Sequence, residues 1–100
     1  TLFPYTTLFR SDKHRAYALW AVMQCLCTGR NIDPHLVCSR KEIGRLYRQL
    51  LTGETPSGLR LLSGWRYKAV ASTLLELMNG KVEVKLGWSD GALEARRIDR

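Results

Sequence analysis

Lys81-Val82-Glu83-Val84-Lys85-Leu86-Gly87-Trp88-Ser89-Asp90-Gly91-Ala92-Leu93-Glu94-Ala95-Arg96-Arg97 is where the sequence changes period from 3.6 to 2. Val82, Val84, Leu86 and Trp88 alternate with Lys81, Glu83, Lys85 and Gly87. Strict alternation predicts a strand with one apolar face. Asp90-Gly91 then supplies a type I′ turn, because both residues tolerate positive φ. A two-residue loop fixes the register. Ser89 faces Ala92, Trp88 pairs with Leu93, Leu86 with Ala95 and Val84 with Arg97. The other face pairs Lys85 with Arg96 and Gly87 with Glu94, with Glu83 diagonal to Arg96. One face is then apolar except at Arg97, which is expected to snorkel or sit at an edge. A lone hairpin does not hold together in water. The apolar face is therefore expected to lie on helices or to pair with another strand.

Upstream the period is helical. A first helix is predicted from about Lys13 to Thr28, apolar around most of its circumference and hence central in a core. Gly29 is its expected C′ residue. Arg30 to Val37 reads as a loop, with Asp33-Pro34 barring a helix. A second helix is predicted from about Lys41 to Leu51. Ser39 is its N-cap, and Glu42 completes a capping box. Ile43, Leu46, Tyr47 and Leu50 form its apolar face, while Lys41, Arg45 and Arg48 form a basic stripe. Gly44 in mid-helix costs about 1 kcal/mol relative to Ala, which suggests close packing against a neighbour. Thr52 to Gly58 is turn chemistry, and Leu59 to Leu62 reads as either a helical turn or a short strand. A third helix is predicted from about Trp65 to Met78, stopped by Asn79-Gly80. Its buried face is expected to carry Tyr67, Val70, Ala71, Leu74, Leu77 and Met78. Arg66, Lys68, Ser72, Thr73 and Glu76 are expected mostly away from it. The fold class is α+β: three helices followed by a C-terminal β-hairpin.

Thr1 to Ser11 matches, codon by codon, the translation of a short-read sequencing adapter. Residues 1–11 are accordingly read as an adapter-derived artefact and left out of fold reasoning. Residues 12–100 are expected to be a single small domain and a fragment of a longer coding sequence. The chain carries a net charge of +7. Arg10 is the one charged residue among the first eleven, so the remainder stays strongly basic. A basic balance on a small domain points to nucleic acid first and a membrane surface second. The longest apolar run, Ala16 to Cys27, is interrupted by Gln24 and falls short of the roughly 20 residues of a membrane span. Three cysteines cannot all pair internally. They read as reduced, buried thiols of a cytoplasmic protein.

The order of helix, helix, helix and hairpin resembles the winged-helix (helix-turn-helix) family of DNA-binding domains, over residues 14–98. Ser39 to Tyr47 is similar to the supporting helix. Tyr67 to Gly80 and then Lys81 to Arg97 are similar to a recognition helix feeding a two-stranded wing. The connection between the two helices, Thr52 to Gly64, is longer than the three or four residues of a helix-turn-helix. The resemblance implies duplex DNA as partner and a regulatory role in transcription, in a phage or on a plasmid. It implies that Arg66, Lys68, Ser72 and Thr73 face DNA and that Lys85, Arg96 and Arg97 are wing contacts. Basic side chains neutralise phosphates and short polar ones reach base edges. Lys41, Arg45 and Arg48 join this set as phosphate contacts.

No enzyme, cofactor or metal is expected. Cys25, Cys27, His35 and Cys38 are ligand types for zinc. But Cys25 and Cys27 point to different sides of a helix, and the cysteines read better as small apolar residues. Glu83-Val84-Lys85 resembles half of a metal-dependent nuclease site, without the acidic residue on a preceding strand that such a site needs. Alternating charge is normal on the wet face of a hairpin. Trp20, Tyr47, Trp65, Tyr67 and Trp88 read as core, with Trp88 at the hairpin tip able to stack on single strands if exposed. The competing class is a non-enzymatic protein-interaction or assembly module, in which the outer hairpin strand adds to a partner's sheet.

Overall fold

The computed structural model describes residues 10–99, with side chains from residue 12 onward. Of the segment 1–11 read as adapter-derived, residues 1–9 lie outside the described residues and residues 10–11 open the first helix. The architecture is α+β, helices followed by an antiparallel hairpin. Helix α1 (Arg10–Gly29) begins three residues earlier than the sequence suggested. Then come α2 (Pro34–Val37), α3 (Arg40–Leu51) and a 3₁₀ turn (Arg60–Leu62). A continuous helical run comes next, made of α4 (Gly64–Arg66), a π-helical turn (Tyr67–Ala71) and α5 (Ser72–Met78). Strands β1 (Val82–Ser89) and β2 (Ala92–Asp99) close the fold. Among the described residues no helix is long and apolar enough to cross a membrane.

The hairpin register is the one that the Asp-Gly turn dictates, from Ser89 opposite Ala92 to Val82 opposite Asp99. Asp90 and Gly91 have φ of 52° and 77°, as a type I′ turn requires. The apolar face, however, does not lie on the helices along its length. Val82 at the base and Ala95 at mid-strand, opposite Leu86, are buried, whereas Leu86 is 54% and Trp88 74% exposed. Contact with α1 reaches Glu94 and Ala95 but not the tip, where Trp88 and Leu93 project.

Helix α1 is the central element. It packs against β2, α3 and α2, and its Met23, Leu26 and Cys27 join Val37, Cys38, Ile43, Leu46, Leu61, Val70, Ala71, Leu74 and Ala95 in one core. Its C-terminus corrects the expectation for Gly29. The αL position is Asn31, with φ of 57°. Asn31 N–H donates to Thr28 O and Ile32 N–H to Cys27 O, a Schellman motif with Asn31 at C′. Gly29 is needed for another reason. In the hairpin the Ser89–Ala92 pair exchanges both backbone bonds, so Ala95 directs its carbonyl away from β1. A β-carbon on Gly29 would stand 2.9 Å from that oxygen. The glycine lets helix backbone meet strand edge.

Segment 30–37 is not simply a loop. Asp33 accepts a hydrogen bond from His35 N–H at 3.0 Å, and Pro34 occupies the first turn. Proline bars a helix before itself but is preorganised to start one. The Asp33 carboxyl is held below its ordinary range, chiefly by that backbone donor. In α3, Ser39 Oγ accepts from Glu42 N–H at 3.2 Å, as expected of an N-cap. The Glu42 carboxylate does not return the bond. It accepts from Leu61 N–H at 2.7 Å and ties the 3₁₀ turn to α3. Gly44 also departs from expectation: a β-carbon there would meet nothing within 4 Å.

The π-turn accounts for a phase error in the third helix. Ser72 N–H bonds to Tyr67 O, five residues back. One extra residue in the turn rotates the helix on its N-terminal side by about 100° relative to the helix on its C-terminal side. Tyr67 therefore leaves the buried stripe and is exposed, as is Trp65. Thr73, expected outside, lies within the buried arc from Val70 to Leu74 and is 2% exposed. Trp20 and Tyr47 are half-buried rather than core.

Cys27 and Cys38 are fully buried. Burial pushes the Cys27 thiol up to about 11 from its ordinary 9.0, with Asp33 adding to it. Burial, then Glu42, pushes Cys38 up to about 12. Above pH 9 the unfolded chain sheds these protons while the folded chain keeps them. Stability is therefore expected to be intact below about pH 9 and to fall as pH rises from there towards 12. Urea midpoints measured at about pH 8 and about pH 10.5 check this. A Cys27→Ala/Cys38→Ala variant should lose less stability over the same interval.

Candidate nucleic-acid interface

Lys41, Arg45 and Arg48 recur at four and three residues on α3, so they share one face, and all are exposed. The opposite face carries the buried Ile43 and Leu46. None of the three cations has a carboxylate partner among the described residues. The nearest acid in sequence, Glu42, is occupied by Leu61 N–H. This face thus carries uncompensated positive charge.

Beside it, α1 and α3 leave an open groove of about 230 Å³. Its lining includes Ala16 and Tyr17 from α1, and Gly44 and Tyr47 from α3. Lys13, Arg40, Lys41 and Arg48 add four cations. The Arg40 guanidinium stands 5.4 Å from the Tyr17 ring centroid, in cation–π range. Asp12 is the one acid of the lining. Its Oδ1 accepts from Tyr47 Oη at 3.0 Å and lies 3.7 Å from Arg15. The groove exists because Gly44 and Ala16 have almost no side chain to fill it.

The residues expected on the third helix are more dispersed. Arg66 Nε donates to Leu36 O at 2.8 Å, and its guanidinium stacks 4.8 Å from the Trp65 ring. Arg66 therefore fastens this helix to α2. Lys68 is exposed and Ser72 half-buried. Thr73 is in the core and presents nothing to solvent. On the hairpin, Lys85 and Arg96 are direct cross-strand partners. Like charges in that position repel, and Glu94 offsets this with an ion pair to Arg96 at 3.0 Å. Arg97 neither snorkels freely nor stands alone. It donates to Glu76 at 2.6 Å and to Asp99 at 2.7 Å, clasping the hairpin base to α5. Both partners hold its already high pKa higher, Asp99 more than Glu76.

The expected site residues therefore do not form one surface. Lys41 and Arg48 line the groove near Ala16, while β2 meets α1 at Gly29. At 1.5 Å per residue these points are about 20 Å apart along the helix. Lys13, Tyr17 and Arg40 were missed by sequence reasoning. Lys13 and Tyr17 are one helical turn apart, but only packing brings them opposite Arg40 and Gly44.

Among the described residues no group of three or more His, Cys, Asp or Glu side chains is placed to hold a metal ion. No family model, curated protein or solved structure matches the chain.

Proposed function

We propose that this chain is a nucleic-acid-binding module that contacts the phosphate backbone through the basic face of α3 and the rim of the adjoining groove. The observation that carries the reading is the absence of acidic partners for Lys41, Arg45 and Arg48 among the described residues. Charges that stabilise a fold are usually paired, whereas a one-signed helix face concentrates field outward and attracts polyanions. Lys13 and Arg40 extend that field across the groove. The winged-helix resemblance assigns duplex DNA to the third helix and the wing. Here the nucleic-acid contact moves to α3, with Lys68, Ser72, Lys85 and Arg96 as secondary contacts. Arg66 and Arg97 are engaged within the fold. Phosphate contacts of this kind fix position and affinity rather than sequence.

The test is fluorescence anisotropy of the chain against labelled duplex DNA, single-stranded DNA and RNA across a salt series. Binding that weakens steeply and linearly in log–log form supports phosphate contacts. Absence of binding to all three at low salt overturns the proposal.

One observation favours a second reading, a protein-interaction module. Leu86, Trp88 and Leu93 stand exposed on one face of the projecting hairpin. The backbone groups of Val84, Leu86 and Trp88 point away from β2, as the register requires, and could add to a partner's sheet. Because these side chains rest on little, Trp88→Ser is expected to change stability by less than about 0.5 kcal/mol. It should shift the mean tryptophan emission to the blue, since the most exposed of the three indoles is lost. Thermal melts and emission spectra check both. A large stability loss would mean that the tip packs on the body after all.

A further inference from the structure

We infer that the groove between α1 and α3 holds a single unstacked nucleotide of a nucleic-acid strand, with its phosphate on Lys13, Lys41 and Arg48 and its base against Tyr17 and Tyr47. The inference rests on the nucleic-acid reading above and adds the unit that is bound. A flat basic surface would serve phosphates alone. This site is instead a hollow of about 230 Å³, lined by two aromatic rings as well as by cations. Its lining is apolar at Ala16 and Gly44, where a planar ring can enter without desolvating charge. Tyrosine faces stack on any base, and stacking is largely indifferent to sequence. Tyr17 is half exposed, though large and aromatic, and carries Arg40 beside its ring. An arginine and a tyrosine so placed offer a base and its phosphate adjacent contacts.

Asp12 sharpens the ligand class. A carboxylate in the lining disfavours a bare anion. Its Oδ1 is engaged by Tyr47 and Arg15, while Oδ2 has no partner among the described residues. A ligand that suits both ends carries an anion and, at a distance from it, a hydrogen-bond donor. A nucleotide with an exocyclic amine does so, and inorganic phosphate does not.

Gly44→Leu and Tyr17→Ala test the inference. An added β-carbon at position 44 meets no atom within 4 Å, so a leucine there starts unobstructed and directs its bulk into the groove that Gly44 lines. Neither substitution changes charge. The wild-type chain and both variants would be titrated with a labelled deoxyadenosine oligonucleotide and with duplex DNA across a salt series. Adenosine monophosphate and inorganic phosphate would be compared as competitors. The expected result is at least tenfold weaker single-strand binding in each variant with the salt slope unchanged, and competition by adenosine monophosphate well ahead of phosphate. Unaltered single-strand affinity in both folded variants overturns the base pocket but leaves the charged face of α3 standing. Equal competition by phosphate also overturns it, reducing the groove to an anion site. Loss of binding in the wild-type chain itself would instead overturn the parent reading. If Gly44→Leu does not fold, Tyr17→Ala alone decides, since its side chain is half exposed and supports little core.

Discussion

Gly29→Ala is expected to destabilise the fold by about 1–3 kcal/mol, although alanine is the better helix former. The new β-carbon would stand 2.9 Å from the Ala95 carbonyl oxygen. That oxygen belongs to strand backbone and cannot swing aside as a side chain would. Relief requires α1 and β2 to separate, and Ala95 is itself buried at their junction. Gly44→Ala supplies the opposing control. Its β-carbon meets nothing, so propensity alone acts and stability should rise by about 1 kcal/mol. Two identical substitutions in two helices thus carry opposite signs. Urea denaturation of both variants measures the difference. Stabilisation at both positions would show that α1 and β2 are not in backbone contact.

Lys41→Glu/Arg48→Glu is expected to weaken nucleic-acid binding by roughly 100-fold at moderate salt and to lower the log–log salt slope by about 2. Both residues are exposed and unpaired among the described residues, so the fold should survive the exchange. Reversal does more than delete two contacts. It places two carboxylates beside Asp12 at the groove and turns an attracting field into a repelling one. Arg66→Glu/Lys68→Glu tests the third helix in parallel. Arg66 fastens that helix to the Leu36 carbonyl, so this pair is expected to cost stability more than affinity. A reversed ranking, with the third-helix pair losing more affinity in folded protein, would return the contact to the position that the winged-helix resemblance gives it. Anisotropy across salt, read beside thermal melts, separates the cases.

Some of this was written locally in the chain and some was not. Asp90-Gly91 sets the hairpin register locally, because these residues favour the two-residue type I′ loop that is adopted, and that loop fixes which residues face each other. Ser39 marks the start of α3 through its own hydroxyl. The π-turn has no comparable mark. Nothing in Tyr67 to Ala71 announces an extra residue, and a helical wheel with constant phase puts Tyr67 inside and Thr73 outside. The two bonds that redirect side chains, Glu42 to Leu61 and Arg97 to Glu76, join residues far apart in sequence. The basic face of α3 was legible from spacing. The groove was not, since its character comes from α1 and α3 together. Close packing was expected at Gly44 and only a helix end at Gly29, and the neighbour that each lacks or meets reverses the two.

The hairpin, held at its base and free at its tip, behaves as a cantilever. Val82, Ala95 and the Arg97 clasp anchor it to the helices. Beyond the contact of Glu94 and Ala95 with Gly29 of α1, the last pairs, Trp88–Leu93 and Ser89–Ala92, rest chiefly on their own backbone bonds and cross-strand neighbours. Opening from the turn inward would leave the core around Met23, Leu46 and Leu74 undisturbed. Folding therefore places almost no demand on Leu86, Trp88 and Leu93. Whatever limits change at these three positions must come from outside the chain, so their pattern of variation in any set of related sequences would report on binding and not on stability.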